Sequence, residues 1–303
     1  MVARYGRSDV DTPAVGFSIR GGGVRGALSA AFLADLFEEH PSLRARVKVW
    51  GGTSTGGCIA LGYAAGLSPE QIVNLYRDRI REIFASRGWW DFFWVDELRR
   101  ANYDNKGLIR VMRDTFGDTT MGELCTEVAI PTVDLLAEGA DQCRAMPVVL
   151  TRASHPNLPV WKAAVMTSSA PTFFPSFEGF VDGGIAANNP CMLTYGVLRK
   201  LTSSPKILDI GNGAASRFVA GRRLDYGLVR WGRAGLIPLI MEMNERATSQ
   251  AASRLLAHRY REVDCDLGKE VDLDDVREVP FLIRNGHALA NTHADSIARW
   301  ARR

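Results

Sequence analysis

Two apolar runs, AVGFSI at 14–19 and VKVW at 47–50, lead directly into glycine-rich turns, and beyond each turn the apolar spacing becomes helical. Runs this short, bounded by turn residues, suit strands covered on both faces. After the first turn, Ala27, Leu28, Ala31, Phe32, Leu36 and Phe37 keep helical spacing until His40-Pro41 stops it. After the second, GCIALGYAAG is made of small residues that let a helix pack closely on a sheet. An amphipathic helix is predicted over 69–84, with Pro69 in its first turn, and others over 107–116 and near 159–169. Further strands are predicted at 128–134, 147–151 and 206–211. Alternation of this kind predicts an α/β fold with helices on both faces of a mostly parallel sheet. Strands thin out beyond 215, and 234–260 reads as helical. Residues 1–13 are expected to be an extension and 14–303 one unit, with a C-terminal helical region over 216–303.

The chain has 303 residues, 46% of them hydrophobic and 23% charged, enough to bury a large core. No stretch reads as a signal peptide or approaches the roughly 18 to 20 apolar residues of a membrane span, so a cytoplasmic protein is expected. A formal charge of +3 leaves no electrostatic footprint for nucleic acid. Cys58, Cys125, Cys143, Cys191 and Cys265 are scattered without a C-x-x-C pair, which predicts reduced thiols and no metal. Arginine is concentrated at 217–261, where nine face the three acids Asp225, Glu242 and Glu245. That excess suits phosphate contacts, or internal pairing with acids such as Asp272, Asp274 and Asp275.

Three motifs carry chemistry. Gly52-Thr53-Ser54-Thr55-Gly56, between a strand and a helix, has the G-x-S-x-G pattern of a strained turn that presents a serine nucleophile; Thr53 and Thr55 read as flanks. Gly21-Gly22-Gly23-Val24-Arg25-Gly26 sits at a helix N-terminus, where unpaired backbone N–H groups and the helix dipole favour an anion. Its spacing also fits a dinucleotide-binding G-x-G-x-x-G, but the second strand ends in the serine turn rather than in the acidic residue that site requires. An oxyanion hole accounts for both loops. In FVDGGIAANNP, Asp182 follows Phe180-Val181, so partial desolvation should raise its carboxyl pKa and make it a better base. Gly183 and Gly184 let that backbone turn tightly.

SIRGGGVRG, WGGTSTGG, TSSAPTFFPS and VDGGIAANNP, in that order, resemble the motifs of the patatin-like phospholipase family. YDNKGL, FGDTTMGEL and PTVDL fit as well, and the resemblance covers about 14–215. It implies a three-layer α/β/α fold and a Ser54–Asp182 dyad working without histidine or cofactor. Acyl lipids are the implied substrates, met at a membrane surface and at its inner face if the protein is peripheral. The family often carries Asp directly before the glycines, where this chain has Arg20; Arg20 is a candidate to favour an anionic head group. Some bacterial relatives are membrane-degrading effectors switched on by a cyclic nucleotide, which makes a small phosphorylated activator a candidate partner here.

Two alternatives compete. An α/β-hydrolase triad would recruit His287 or His293, although the elbow follows only the second strand, early for that fold. A non-catalytic binding module would be expected to lack the nucleophile or the base, and both are present. Trp89, Trp90, Phe92, Phe93 and Trp94, flanked by Arg87, Arg99 and Arg100, are either core or a lipid-contacting lid. If they touch lipid, replacing Trp89, Trp90 and Trp94 with Ala weakens hydrolysis of vesicle lipid more than of a short soluble ester. Equal losses on both, with a lower melting temperature, place them in the core.

Overall fold

The computed structural model describes residues 14–85, 101–138, 143–213 and 236–303. Its centre is a seven-stranded sheet in the order β4-β3-β2-β1-β6-β7, with β5 paired to β3 off that path. The strands are β1 (Ala14–Ile19), β2 (Val47–Gly52), β3 (Glu127–Glu138), β4 (Cys143–Leu150), β5 (Phe180–Asp182), β6 (Pro205–Ile210) and β7 (Tyr260–Val263). Pairings β1–β2, β1–β6, β2–β3 and β6–β7 are parallel, whereas β4 and β5 run antiparallel to β3. Register fixes where the chemistry can lie. Ile19 pairs with Gly52, so the glycine loop and the serine turn leave the sheet side by side at its carboxyl edge. Asp182 pairs with Thr132 and ends β5 at that edge, three residues past the β2 partner Ala129.

Helix α1 (Gly26–Glu39) is buried continuously from Gly26 to Leu33, so it must be covered on every side. The sheet covers one side and the long C-terminal helix α11 (Val279–Arg302) the other. The remaining helices are α2 (Pro41–Arg44), α3 (Thr55–Ala64), α4 (Pro69–Asn74), α5 (Ile80–Ile83), α6 (Lys106–Phe116), α7 (Val160–Ser168), α8 (Gly184–Ala187), α9 (Cys191–Leu198) and α10 (Leu236–Leu256). Phe17, Phe37, Trp50 and Tyr63 form an aromatic knot, with Trp50 stacked on Tyr63 at 4.5 Å. That knot fixes α1 and α3 against β1 and β2.

The sequence places most elements within a few residues, with three differences. The helix over 69–84 is interrupted by a π-helical turn at Leu75–Arg79, which re-aims Tyr76 into the core. The helical stretch predicted at 234–260 stops at Leu256, and β7 then joins the sheet edge beside β6. β5 is only three residues long and carries no strand pattern of its own. Trp89, Trp90, Phe92, Phe93 and Trp94 lie outside the described residues, as do Arg217, Arg222, Arg223, Arg230 and Arg233. Of the remaining arginines in that excess, Arg246 pairs with Glu242, Arg261 donates to Ser296, and Arg246 and Arg254 line the cavity described below.

α11 approaches α1 closely at Gly286, where any Cβ would collide with the Leu28 carbonyl oxygen and the Ala31 methyl. Gly286→Ala should therefore destabilise the protein by about 1–3 kcal/mol through overpacking, despite the roughly 1 kcal/mol that Ala gains in helix propensity. Urea unfolding measures the balance. An unchanged midpoint would mean that the two helices separate freely.

Candidate active site

Ser54 stands between β2 and α3 with φ 55° and ψ −125°, a conformation costing a non-glycine residue about 1–3 kcal/mol. Its neighbours hold it there. Thr53 N–H donates to the Ile19 carbonyl at 3.2 Å, and the Thr53 hydroxyl to the Ala187 carbonyl at 2.7 Å. Ser54 N–H donates to the Thr167 hydroxyl at 3.1 Å, which in turn donates to the Pro131 carbonyl at 2.7 Å. Thr55 Oγ1 lies 2.5 Å from the Tyr76 hydroxyl. The two threonines that read as flanks are thus anchors of the turn, and Thr167 is an anchor that no motif announced. Gly52 and Gly56 permit the sharp reversal: a Cβ on Gly52 would overlap the Gly56 carbonyl, and one on Gly56 the Ile19 carbonyl.

Asp182 is 5% exposed. Oδ1 of its carboxylate accepts Gly184 N–H at 2.6 Å. Burial raises its pKa from the ordinary 3.8 to about 6, against the opposing pull of the nearby Ser54 side chain and the Gly184 N–H. Gly183 passes so close to β3 that a Cβ would meet the Pro131 carbonyl.

The glycine loop contributes fewer donors than its sequence suggests. Gly21 N–H donates to the Asn188 carbonyl at 3.1 Å, Arg25 N–H to Gly22 at 3.1 Å, and Gly26 N–H back into the first turn. Val24 N–H donates to the Leu273 carbonyl at 2.8 Å, which removes Val24 from the expected oxyanion donors. The N–H groups of Gly22 and Gly23 have no acceptor among the described residues. Two buried asparagines, Asn188 and Asn212, both donate to the Gly21 carbonyl, at 3.2 and 2.5 Å.

Ser54, Asp182, Gly22 and Gly23 line one cavity of about 1240 Å³. One wall is apolar, from Ile59, Ile72, Leu75, Ile80, Phe84 and Phe174. The lining is polar where α10 contributes Glu242, Glu245 and Arg246, and where Arg25 stands at the loop. Arg20 is not available to an anionic head group. Its buried guanidinium donates to Asp209 at 2.7 Å, to Ser249 at 2.9 Å and to Asp264 at 3.2 Å, and also pairs with Glu262. The histidine alternative finds no geometry: His287 bonds Asp35 at 2.7 Å, and neither His287 nor His293 lines the cavity. Among the described residues no group of His, Cys, Asp or Glu is arranged to hold a metal ion.

The sequence model of the patatin-like phospholipases matches residues 17–195, more than half of the chain. The chain belongs to that family. It is 28% identical to a cGAMP-activated phospholipase of Pseudomonas aeruginosa, over 92% of this chain and 85% of the relative. A cGAMP-activated phospholipase of Vibrio cholerae is also 28% identical, over 94% and 88%. Patatin-T5 of Solanum tuberosum is 25% identical, again over 94% and 88%. The family is one of lipid acyl hydrolases, and the α/β fold with its mostly parallel sheet agrees with membership. No described helix is long and apolar enough to cross a membrane.

The raised Asp182 pKa has a consequence for stability. The folded protein holds the Asp182 proton more tightly than the unfolded chain does, so ionising this group opposes folding progressively from pH 3.8 upward, and fully above about pH 6. Asp182→Asn should therefore stabilise the fold, by at most about 3 kcal/mol at pH 7.5 and by clearly less at pH 4.5. Urea unfolding of both proteins at the two pH values measures this. A gain that does not vary with pH would mean that Asp182 is not strained by its burial.

Proposed function

We propose that this protein hydrolyses acyl esters of lipids through a covalent acyl-enzyme on Ser54, with Asp182 as the base. The observation carrying this reading is a strained serine and a buried carboxylate lining one cavity, together with two backbone N–H groups that have no acceptor among the described residues. A carboxylate with a pKa of about 6 accepts a proton more readily than one at 3.8, yet is ionised at pH 7. Asp182 takes the Ser54 proton as the oxygen attacks the ester carbonyl carbon, and Gly22 and Gly23 N–H groups receive the negative charge that develops on the carbonyl oxygen. Collapse breaks the ester C–O bond, and the leaving oxygen takes from Asp182 the proton that Ser54 gave up, departing as the alcohol. Water then attacks the acyl-enzyme by the same route and releases the fatty acid. The apolar wall suits the acyl chain, and the polar part of the lining the head group.

Membership of the family supports a phospholipid substrate taken from a bilayer surface. The likeness to two cGAMP-activated phospholipases over more than nine-tenths of the chain supports a cyclic dinucleotide as activator, acting on a cytoplasmic, peripherally membrane-bound protein.

Hydrolysis of a p-nitrophenyl acyl ester tests the core of the reading, and release of fatty acid from phospholipid vesicles with and without cyclic dinucleotides tests the rest. Ser54→Ala and Asp182→Asn should each lose at least about 1,000-fold in kcat while remaining folded, whereas His287→Ala and His293→Ala stay within about twofold of the parent. A folded, inactive histidine variant beside an active Asp182→Asn would replace the dyad with a triad.

A further inference from the structure

We propose that Asn212, Asn188 and, behind them, Glu245 of α10 are positioning residues that fix the direction of the Gly22 N–H. This rests on the oxyanion role of that N–H proposed above. A trans peptide is planar, so the N–H of one residue points opposite to the C=O of the residue before it. Whatever holds the Gly21 carbonyl therefore aims the Gly22 N–H. Three consecutive glycines have no side chains to restrict rotation of that peptide plane. A flipped plane would present a carbonyl oxygen where negative charge develops.

Two amides prevent the flip. Asn212 Nδ2 donates to the Gly21 carbonyl at 2.5 Å and approaches the Arg20 carbonyl at 3.4 Å. Asn188 Nδ2 donates to the same Gly21 oxygen at 3.2 Å, while the Asn188 main-chain carbonyl accepts Gly21 N–H at 3.1 Å. Both asparagines are about 5% exposed. Asn188 thus holds the Gly21 N–H and the Gly21 carbonyl, which belong to two consecutive peptide planes, and Asn212 holds that carbonyl a second time.

The Asn188 amide has its own support. Its Nδ2 also donates to the Glu245 carboxylate. Burial pushes the Glu245 carboxyl pKa up while its bond to Asn188 and the nearby Arg20 and Arg25 charges pull it down. In its carboxylate form it is, like the main-chain carbonyl, a pure acceptor, and together the two admit only the NH₂ end of the amide. Were the amide to turn, Asn188 Oδ1 would face two acceptors and the grip on Gly21 would be lost. Glu245 therefore acts on the loop through Asn188.

The experiment compares Glu245→Gln with Glu245→Leu, alongside Asn212→Ala, on a p-nitrophenyl ester that has no head group. Gln retains an acceptor oxygen for Asn188 and Leu does not. Glu245→Leu should lose about 10-fold in kcat and Asn212→Ala about 10- to 100-fold, below the roughly 100- to 1,000-fold of deleting an oxyanion donor outright. Glu245→Gln should stay within about threefold of the parent, with KM near that of the parent in all three. Affinity for a trifluoromethyl ketone, whose adduct with Ser54 carries an oxyanion, should fall in step with kcat. A merely structural role would lower the melting temperature without that parallel. Parental kcat and ketone affinity in Glu245→Leu would overturn the role of Glu245, and the same result in Asn212→Ala that of Asn212. If Asn212→Ala does not fold, the Glu245 pair decides alone. Activity surviving in Ser54→Ala would instead overturn the dyad, which separates the two failures.

Discussion

Parallel pairing of β1 with β2 is the constraint on which the site depends. It delivers the glycine loop and the serine turn to the same edge of the sheet with Ile19 opposite Gly52, so neither loop has to reach for the other. The antiparallel excursion of β3 and β5 then brings a carboxylate to that edge from the other side, with Asp182 opposite Thr132. Three stretches distant in sequence meet because the sheet order leaves them no other place. The aromatic knot of Phe17, Phe37, Trp50 and Tyr63 lies under the two loops and keeps both strands in register.

Unfavourable terms gather at this edge and are offset by contacts around it. Ser54 occupies a strained backbone conformation, and Asp182 is a carboxylate withdrawn from water. A few residues away, Arg20 is buried among Asp209, Glu262 and Asp264, a cluster whose desolvation is tolerable only because nearly every guanidinium donor finds an oxygen. Asn189 and Tyr260 complete the shell by donating to Asp209 at 2.8 and 2.7 Å. This charge cluster sits directly before the glycines. It ties β1 to β6, β7 and α10, and so serves architecture rather than recognition.

Much of this was legible in the sequence because it rests on local signals. Glycine turns after apolar runs located β1, β2 and both loops, and the Asp-Gly-Gly motif located the carboxylate. What escaped was decided by distant partners. β7, YREV, has no alternating apolar face; it is a strand because β6 offers it an open edge. Asn188 and Asn212 sit in NNP and GNG, strings that read as turns, and only the folded chain shows both amides converging on one carbonyl. Val24 looked like a donor because nothing near it in sequence competes for its N–H. Leu273, some 250 residues later, does. Thr167 likewise reads as one more small residue in TSSAP, and its contact with Ser54 N–H is invisible until α7 crosses the elbow.

The tie between Val24 and Leu273 divides the chain in an unexpected way. Residues 17–195 hold every motif by which the family is recognised, yet Asn212, Glu245 and Leu273, which brace the glycine loop or hold the residue that does, all lie beyond them. The recognisable part supplies the reacting groups, and the part that looks generic supplies their tolerances. Grafting a different tail onto the same motif-bearing half would leave every signature in place while handing the loop a new set of braces, so the catalytic competence of such a chimera is decided in a region that motif comparison never weighs.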